Sequence, residues 1–336
     1  MGPRCAILAA SSFYAATRGK RVPYGSTMPL PALPRLGFIG AGRLARCLAT
    51  GFARAGYPVA AVTARSSDSA GRLACALPLC RAVADAQAVA DSSDLVFLAV
   101  PDDSIGTIAN NLRFDTRDGR SAALVHCSGA TSVGVLAAAG AQGVSIGGFH
   151  PLYLFSGDEA DLERIAGCSV TIEAQGELAP LLGALARSLG CEILTLEGAR
   201  RMLYHGAAHY AASFALAALA EAVDVWGTLG FDEDQSLRAL LPMLAGTVQA
   251  ARAKGLSGAL AGPVSRGDAA VLEQQLAAFE ALGSDHATLY ALLTRRALSL
   301  ARSRTQPPAS IDAMTEAVEA TLARLERSLS RSAGAT

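Results

Sequence analysis

The segment Leu36–Ala45, Leu-Gly-Phe-Ile-Gly-Ala-Gly-Arg-Leu-Ala, constrains the fold of this 336-residue chain more than any other part of its sequence. It places a G-x-G-x-x-A pattern between an apolar strand and a helix. The first glycine permits a tight turn, the second lets a pyrophosphate approach the backbone, and unpaired N–H groups at the helix start favour phosphate. The segment therefore predicts a dinucleotide-binding turn, unless the turn has lost its ligand. The expected cofactor contacts within it are Gly40, Gly42, Arg43 and Leu44.

The residues after the next apolar run, Val59–Thr63, indicate which dinucleotide the turn selects. Proteins that bind NAD usually carry an acidic residue at the end of this strand, where it bonds the ribose hydroxyls. Here Arg65 and Ser66 follow the strand, and the first acid is Asp68. Arg65 and Ser66, together with Arg43, can donate hydrogen bonds to a 2′-phosphate that a carboxylate would repel. We therefore predict NADP, with a solvated surface arginine as the alternative for Arg65.

Short apolar runs alternate with helical segments between residues 35 and 197. The expected strands are Leu36–Gly40, Val59–Thr63, Asp94–Val100, Ala122–Cys127, Val144–Phe149, Ser169–Ile172 and Cys191–Leu196. The expected helices are Arg43–Ala55, one around Ala70–Cys75, and Leu178–Leu189. This alternation predicts an α/β Rossmann-like domain over residues 35–197, with a parallel sheet and helices on both faces. Val100 and Pro101 end the most apolar strand and are further expected cofactor contacts, and Asp102 is expected to cap the next helix.

After residue 197 the strand-like runs give way to helices rich in alanine and leucine. The expected helices are Arg200–Leu229, Gln235–Ala253, Ala269–Leu282, His286–Ser303 and the amphipathic Ile311–Ser328. They predict an all-helical domain over residues 198–303 and a tail over 304–336. Met202–Ala220 lacks Asp, Glu, Lys and Arg, as a membrane span would. Its histidines and weak hydropathy favour a helix buried in a helical domain or a dimer, so we predict a homodimer through this domain and no membrane partner.

Charge and cysteine content limit the partners further. The 29 Lys and Arg residues balance 29 Asp and Glu, which argues against a nucleic-acid or membrane-surface binder. The seven cysteines form no C-x-x-C pair, which indicates reduced thiols in a cytoplasmic protein. Residues 1–34 are basic and proline-rich and predict a disordered leader or a start codon placed too early, with Met28 as the true start; a transit-like segment is the alternative.

Three loop residues are candidates for substrate binding. Ser128 and His150 each follow a predicted strand, in His-Cys-Ser-Gly-Ala and Gly-Phe-His-Pro-Leu. Hydride transfer to a carbonyl or imine needs a proton donor near the substrate heteroatom, and histidine suits that task near neutral pH. A histidine bonded only to loop backbone is the alternative. Arg266, in Gly-Pro-Val-Ser-Arg-Gly-Asp, is expected to clamp an anion, unless it pairs with Asp268 in a structural turn.

The start of the helical domain carries a polar stripe. Arg201, Tyr204 or His205, and Ser213 recur at three- to four-residue spacing or multiples of it, so one helix face presents acid–base and substrate-binding groups. His205 and His209 have the i, i+4 spacing of metal ligands. No acidic third ligand lies nearby, and we predict no metal.

Six motifs resemble those of a known family in content and order. They are GFIGAGRLA, LAVPDDSI, HCSGA, GFHPLYLF, YHGAA and GPVSRGD, between Arg35 and Arg302. They are similar to proteins that pair a Rossmann-like NADP-binding domain with a C-terminal domain of unknown function, DUF2520. That family is related to 6-phosphogluconate and 3-hydroxyisobutyrate dehydrogenases, ketopantoate reductase and pyrroline-5-carboxylate reductase. The resemblance implies an NADP-dependent oxidoreductase acting on a small substrate, with a helical domain like the C-terminal domain of 6-phosphogluconate dehydrogenase.

The chain departs from that family at two positions of the polar stripe. Members and relatives often carry a lysine where this chain has Arg201, and an asparagine where it has Ser213. Arginine stays protonated and cannot shuttle a proton as lysine does. We therefore expect His205 or Tyr204 to supply the proton and Arg266 to bind an anionic substrate. The alternatives are a catalytically silent NADP-binding sensor and a structural protein that has lost the nucleotide.

Overall fold

The structure is a computed structural model, and it describes residues 33–115, 122–196 and 200–333. The chain forms two compact units, Met1–His205 and Gly206–Thr336. The predicted leader at 1–34 lies outside the described residues except for its last two positions.

The first unit is built on one eight-stranded sheet. Its strands are β1 (Leu36–Ile39), β2 (Val59–Thr63), β3 (Arg81–Ala82), β4 (Leu95–Leu98), β5 (Ala123–His126), β6 (Ser145–Pro151), β7 (Ser169–Glu173) and β8 (Glu192–Thr195). Its helices are α1 (Arg43–Arg54), α2 (Ser67–Cys75), α3 (Ala86–Ser92), α4 (Asp102–Asn111), α5 (Ala137–Gly140), α6 (Asp161–Arg164) and α7 (Leu178–Ser188), and α8 (Arg201–Ala208) begins here. The strand order is β3-β2-β1-β4-β5-β6-β7-β8. This arrangement confirms the predicted Rossmann-like fold class.

The sheet is parallel, as predicted, except at one pair, since β6 and β7 run antiparallel. The link between them carries only the four-residue α6, whereas a parallel pair is usually joined by a crossover helix that covers the sheet. The stretch from Ala76 to Ser92, which lies between predicted elements, contains the short β3 and the helix α3. The side chain of Asp85 caps α3 by accepting a hydrogen bond from the amide of Ala88 at 2.8 Å.

Both faces of the sheet are buried, as the continuous apolar runs predict. On the face covered by α1 and α7, the rings of Phe38, Phe52, Phe97 and Phe149 are fully buried and pack together. The centroids of Phe38 and Phe97 lie 5.1 Å apart, and those of Phe97 and Phe149 lie 5.7 Å apart. The sheet is therefore a rigid base for the loops at its carboxyl edge.

The second unit is helical. Its helices are α9 (Ser213–Thr228), α10 (Glu233–Ala259), α11 (Gly262–Arg266), α12 (Ala269–Leu282), α13 (Ser284–Arg302) and α14 (Ile311–Ala333). The buried core of this unit comes from α11 to α14, and Met314 and Val318 of α14 are fully buried within it. Arg304 fixes the connection between α10 and α11 by donating hydrogen bonds to the carbonyls of Ser257, Leu260 and Ser265.

The helix predicted over Arg200–Leu229 is not continuous. A short 3-10 helix occupies His209–Ala211, and Ala212 has φ −121° and ψ −94°, outside the helical range. The side chains of His209 and Ser213 hydrogen-bond across this break at 3.2 Å. The two segments on either side are therefore separate elements, and Ser213 does not share one straight stripe with the residues of α8.

Within the single chain this segment is not buried in the helical domain, so its burial in a dimer stays a prediction. Arg201–Thr228 has the length and apolar composition to cross a membrane, with a mean hydropathy of 1.2, and none of its apolar window is buried. Helix α9 has no buried residue, and α10 buries only Ser236 and Leu240. The apolar side chains of these helices therefore remain open in the single chain.

Candidate functional site

The predicted dinucleotide turn has the geometry its sequence requires. Gly40 has a φ of +111°, and a Cβ added there would collide with the carbonyl oxygen of Ala99. Gly42 is extended and forms the N-cap of α1 without a side-chain hydrogen bond, and a Cβ added there would meet no atom within 4 Å. The space over the turn is open, and no acidic residue occupies the first turn of α1. An anion such as a pyrophosphate fits this cradle.

The turn lies where ligands bind in sheets of this kind. Strand β1 lies between β2 and β4. Strands β2 and β3 are added on one side of β1, and the later strands from β4 onwards are added on its other side. Val100 and Pro101 follow β4, and the Cγ1 of Val100 lies 3.3 Å from the position of a Cβ on Gly40. The amide of Gly40 donates a hydrogen bond to the carbonyl of Thr63 at 2.8 Å, which ties the turn to the end of β2.

Arg65 and Ser66 follow directly from that end of β2, and both are exposed. The Oγ of Ser66 caps α2 by accepting a hydrogen bond from the amide of Ser69 at 3.3 Å. Arg43 opens α1 and is also exposed. Two exposed arginines thus lie at the start of α1 and just after β2, and the sequence has no carboxylate between Thr63 and Asp68.

Ser128 organises its own loop. Its hydroxyl donates to Oδ2 of Asp102 at 2.7 Å and accepts from the amides of Ala130 and Thr131 at 3.2 and 2.9 Å. The expectation that Asp102 caps the helix after β4 is wrong, because α4 begins at Asp102 itself and Pro101 is its N-cap. The carboxylate of Asp102 therefore holds the Ser128 loop at the carboxyl edge of the sheet.

Arg201 bonds several segments of this region together and does not lie on an exposed helix face. Its side chain is 1% exposed. Nε donates to Oε2 of Glu173 at 2.8 Å, and Nη1 donates to the carbonyls of Ser128 and Gly129 at 2.6 and 3.4 Å. Nη2 has no hydrogen-bond partner among the described residues. A buried guanidinium needs such partners, so Arg201 joins the start of α8 to β7 and to the Ser128 loop.

Two imidazoles converge beside Gly129. A Cβ on Gly129 would lie 2.5 Å from Nδ1 of His205 and 2.7 Å from Nε2 of His150, so the rings fit only around a glycine. Their centroids lie 5.8 Å apart. The hydroxyl of Tyr204 lies 3.3 Å from Nδ1 of His150 and 2.7 Å from Oγ1 of the buried Thr171. His150 is the last residue but one of β6, whose direction matches that of β5, β4 and β1, so this cluster shares the sheet edge that carries the dinucleotide turn.

Burial and nearby charge keep two histidines neutral. Burial lowers the pKa of His126 to about 4, and the charge of Arg201 adds to the effect. Burial likewise lowers the pKa of His150 to about 4, with further contributions from His205 and Arg201. His150 therefore presents a neutral imidazole at pH 7 and acts there as a hydrogen-bonding group.

The structure gathers only part of the predicted site in the first unit. Ser128, His150, Arg201, Tyr204 and His205 lie together, whereas Ser213 and Arg266 belong to the second unit. Nε of Arg266 donates to Oδ2 of Asp268 at 2.8 Å on the surface, as the structural alternative expected. The roles of Ser213 and Arg266 in substrate binding stay predictions.

The sequence analysis did not predict that four further polar residues belong to this cluster. Asp102 gave only a capping signal, and His126, Thr171 and Glu173 gave none, because their partners lie 26 to 33 residues away or are loop backbone. The predicted strand Ser169–Ile172 stops one residue short of Glu173, which shares a face with Thr171 in the observed β7. The pairing of that strand with β6 would have been needed to connect them to His150.

The fold and the turn at its switch point define a class of protein, a Rossmann-type domain followed by a helical domain. The profile of the Rossmann-like domain matches residues 23–151, and that of the domain of unknown function DUF2520 matches residues 168–297. The chain thus carries these two domains in this order, which confirms the resemblance of its motifs. No curated protein matches the chain.

Solved structures share the fold. Protein TM1727 from Thermotoga maritima is 24% identical, with a TM-score of 0.65 over 81% of this chain and 100% of that one. The "putative NADP oxidoreductase BF3122" from Bacteroides fragilis is 24% identical, with a TM-score of 0.59 over 79% and 98%. A reductive aminase from Aspergillus terreus in complex with NADPH and ethyl-5-oxohexanoate is 15% identical, with a TM-score of 0.56 over 89% and 95%. At these identities the likeness establishes a common fold.

The neutral, buried His126 makes the stability of the protein sensitive to acid. Its folded-state pKa of about 4 lies below the ordinary value of 6.5, so the unfolded chain binds more protons between these two pH values. We expect the free energy of unfolding to fall as the pH drops from 6.5 towards 4, by up to ~3 kcal/mol from this residue. Denaturant unfolding at a series of pH values measures it.

The variant His126→Asn keeps an acceptor for the amide of Ser128, which bonds Nδ1 of His126 at 3.2 Å, but cannot take up the proton. In the middle of the range from pH 6.5 to pH 4, the free energy of unfolding of the variant should fall less steeply with decreasing pH than that of the unaltered protein. The two slopes should differ by about 1.4 kcal/mol per pH unit. Identical slopes for the two proteins would refute this account of His126.

Proposed function

We propose that this protein is an NADP-dependent oxidoreductase that transfers a hydride between NADP(H) and a small anionic substrate. The observation that carries the proposal is the open cradle at Gly42, which shares a sheet edge with the imidazoles of His150 and His205. Hydride transfer needs a nucleotide site and a group that bonds the substrate heteroatom on one surface. Both belong to the first unit of this chain.

The residues around the turn suit NADP. The amides at the start of α1 and the bare backbone of Gly42 bind the pyrophosphate, and Arg65, Ser66 and Arg43 bind the 2′-phosphate. Gly40, Leu44, Val100 and Pro101 border the nucleotide. The named likeness to an NADP oxidoreductase and to a reductase in complex with NADPH supports this assignment.

When bound, NADPH supplies a hydride to an electrophilic carbon. The protein must then bond the attached heteroatom and deliver a proton to it. In our proposal His205 supplies that proton, and Tyr204 is the alternative donor. His150, neutral at pH 7, bonds the heteroatom, while Arg201 and Ser128 hold the loop that carries Gly129.

A second function, NADP binding without turnover, is favoured by Arg201. This residue is buried, paired with Glu173 and permanently charged, so it cannot exchange a proton with a substrate. A sensor needs the nucleotide turn and not a proton donor. The two functions therefore share the first step and differ only in catalysis.

Turnover separates the two functions. We expect NADPH oxidation with at least one substrate among 2-keto acids, aldehydes and cyclic imines. Because a positioned acid contributes about 10²- to 10⁴-fold to rate, His205→Gln should lower kcat by that factor. The affinity for NADPH, measured in the same preparation, should stay unchanged. Tight NADPH binding without turnover on any of these compounds would instead establish the sensor.

The choice of nucleotide is tested at Arg65. A charge-assisted hydrogen bond contributes ~1.5–3 kcal/mol, so Arg65→Ala should weaken NADPH binding roughly ten- to hundredfold and leave NADH binding nearly unchanged. Titration calorimetry with both nucleotides measures the difference. Equal losses for both would rule out the 2′-phosphate role.

Gly42→Ala is the matched variant for the pyrophosphate. Its Cβ has room in the free protein, so the free energy of unfolding should change by no more than ~1 kcal/mol. Both nucleotides should bind more weakly, because the Cβ occupies the space over the turn. Unaltered binding of both nucleotides would contradict the placement of the pyrophosphate over this turn.

We further propose that the second unit binds another copy of this chain through α9 and α10. Their outer faces expose large apolar side chains, among them Phe214 at 51%, Leu216 at 62% and Met243 at 66%. Exposed apolar patches of this kind mark interaction surfaces. The break at Ala212 and the acidic residues Glu221 and Asp224 of α9 oppose insertion into a lipid core.

Light scattering after size exclusion tests the dimer. The unaltered protein should elute with twice the chain mass, and Leu216→Asp should convert it to a monomer. Leu79→Glu is the control, because Leu79 is 89% exposed in the first unit and lies outside the proposed interface. A monomeric unaltered protein, or one that partitions into vesicles, would overturn the proposal.

A further inference from the structure

A chain of hydrogen bonds ends at one nitrogen of His150. Thr171 is opposite His150 in the antiparallel register of β6 and β7, so both side chains lie on one face of the sheet. Tyr204 reaches both from α8, at 2.7 Å from Oγ1 of Thr171 and 3.3 Å from Nδ1 of His150. Thr171 is fully buried, so water does not compete for its hydroxyl.

The chemistry of the three groups sets the direction of the hydrogens. A phenol is a better donor than an aliphatic hydroxyl, and the lone pair of a neutral imidazole is a better acceptor than a hydroxyl oxygen. Thr171 therefore donates to the oxygen of Tyr204, and Tyr204 donates to Nδ1 of His150. The ring hydrogen of His150 then resides on Nε2.

The other ring nitrogen of His150, Nε2, lies towards Gly129. It lies 2.7 Å from the position of a Cβ on Gly129, and no hydrogen bond to it exists among the described residues. We propose that Thr171 and Tyr204 fix His150 in the tautomer with hydrogen on Nε2, so that His150 selects substrates presenting a carbonyl or carboxylate oxygen over those presenting a cationic nitrogen. The substrate half of this inference rests on the proposed oxidoreductase function.

The charges around the ring act in the same direction. His205 and Arg201 both disfavour a positive charge on His150. Asp102 favours such a charge, but more weakly. A protonated imine next to Nε2 would be disfavoured by the same charges. It would also place its own N–H donor against the N–H donor of Nε2. A ketone or keto acid offers an oxygen lone pair instead. Thr171 and Tyr204 are in this respect positioning residues, since they act through His150.

The tautomer is measured in the full-length protein without nucleotide. Long-range proton–nitrogen spectra of protein labelled with [15N]histidine distinguish the two tautomers, and loss of signals in His150→Gln assigns the residue among the five histidines. We expect the Nε2–H form alone in the unaltered protein. Tyr204→Phe should shift the tautomer ratio about tenfold towards Nδ1–H, the effect of losing one hydrogen bond.

Thr171→Val and Thr171→Ser form a matched pair for the buried hydroxyl. The valine variant should shift the ratio in the same direction as Tyr204→Phe, and the serine variant should restore it. The signals of the other histidines report in the same spectra whether each variant is folded. An Nδ1–H tautomer in the unaltered protein, or an unchanged ratio in Tyr204→Phe, would overturn the proposal.

Acetate and acetamidinium test the choice of ligand, because they share a shape and differ in charge and hydrogen-bonding sense. Acetate should move the Nε2 signal of His150 at a concentration at least tenfold lower than acetamidinium does. Equal or stronger action of acetamidinium, or no effect of either probe, would refute the selection of an oxygen acceptor. Failure of NADPH to bind would refute the proposed function alone, because the tautomer is measured without it.

Discussion

The buried guanidinium of Arg201 is the interaction on which the candidate site depends. It bonds a carboxylate of β7 and the backbone of the Ser128 loop, and it starts the helix that carries Tyr204 and His205. A charge removed from water is costly unless it is paired, so separating Arg201 from these segments would leave a buried charge unpaired. Groups far apart in the sequence therefore meet at one place. An arginine suits this structural task, because its planar fork reaches several acceptors at once.

The sequence was sufficient for the fold of the first unit and for its nucleotide turn. Both follow from local patterns, namely apolar runs and a glycine pattern whose steric needs are met by neighbouring backbone at Gly40. It was insufficient for the cluster at the other end of the sheet edge. The hydrogen bonds of Arg201 and Thr171 join distant segments, and the antiparallel pairing of β6 with β7 that aligns Thr171 with His150 leaves no local signature.

The helical unit shows the opposite limit of sequence reasoning. Its segments were recognisable as helices, yet hydropathy did not reveal which of them form the core. Helices α11 to α14 bury their apolar residues against each other, whereas α9 and α10 leave theirs exposed. Apolar periodicity reports that a surface needs a partner, not whether that partner is the same chain. The break at Ala212 was equally silent, because the residues around it are good helix formers.

Ser128 connects the two ends of the sheet edge. Its hydroxyl holds Asp102, the first residue of the helix after Val100 and Pro101, and its carbonyl holds Arg201 at the start of α8. A single residue thus bonds both to the helix start beside Val100 and Pro101 and to the helix that bears His205. The start of α4 and the start of α8, which are 99 residues apart in the chain, are therefore held by one and the same loop.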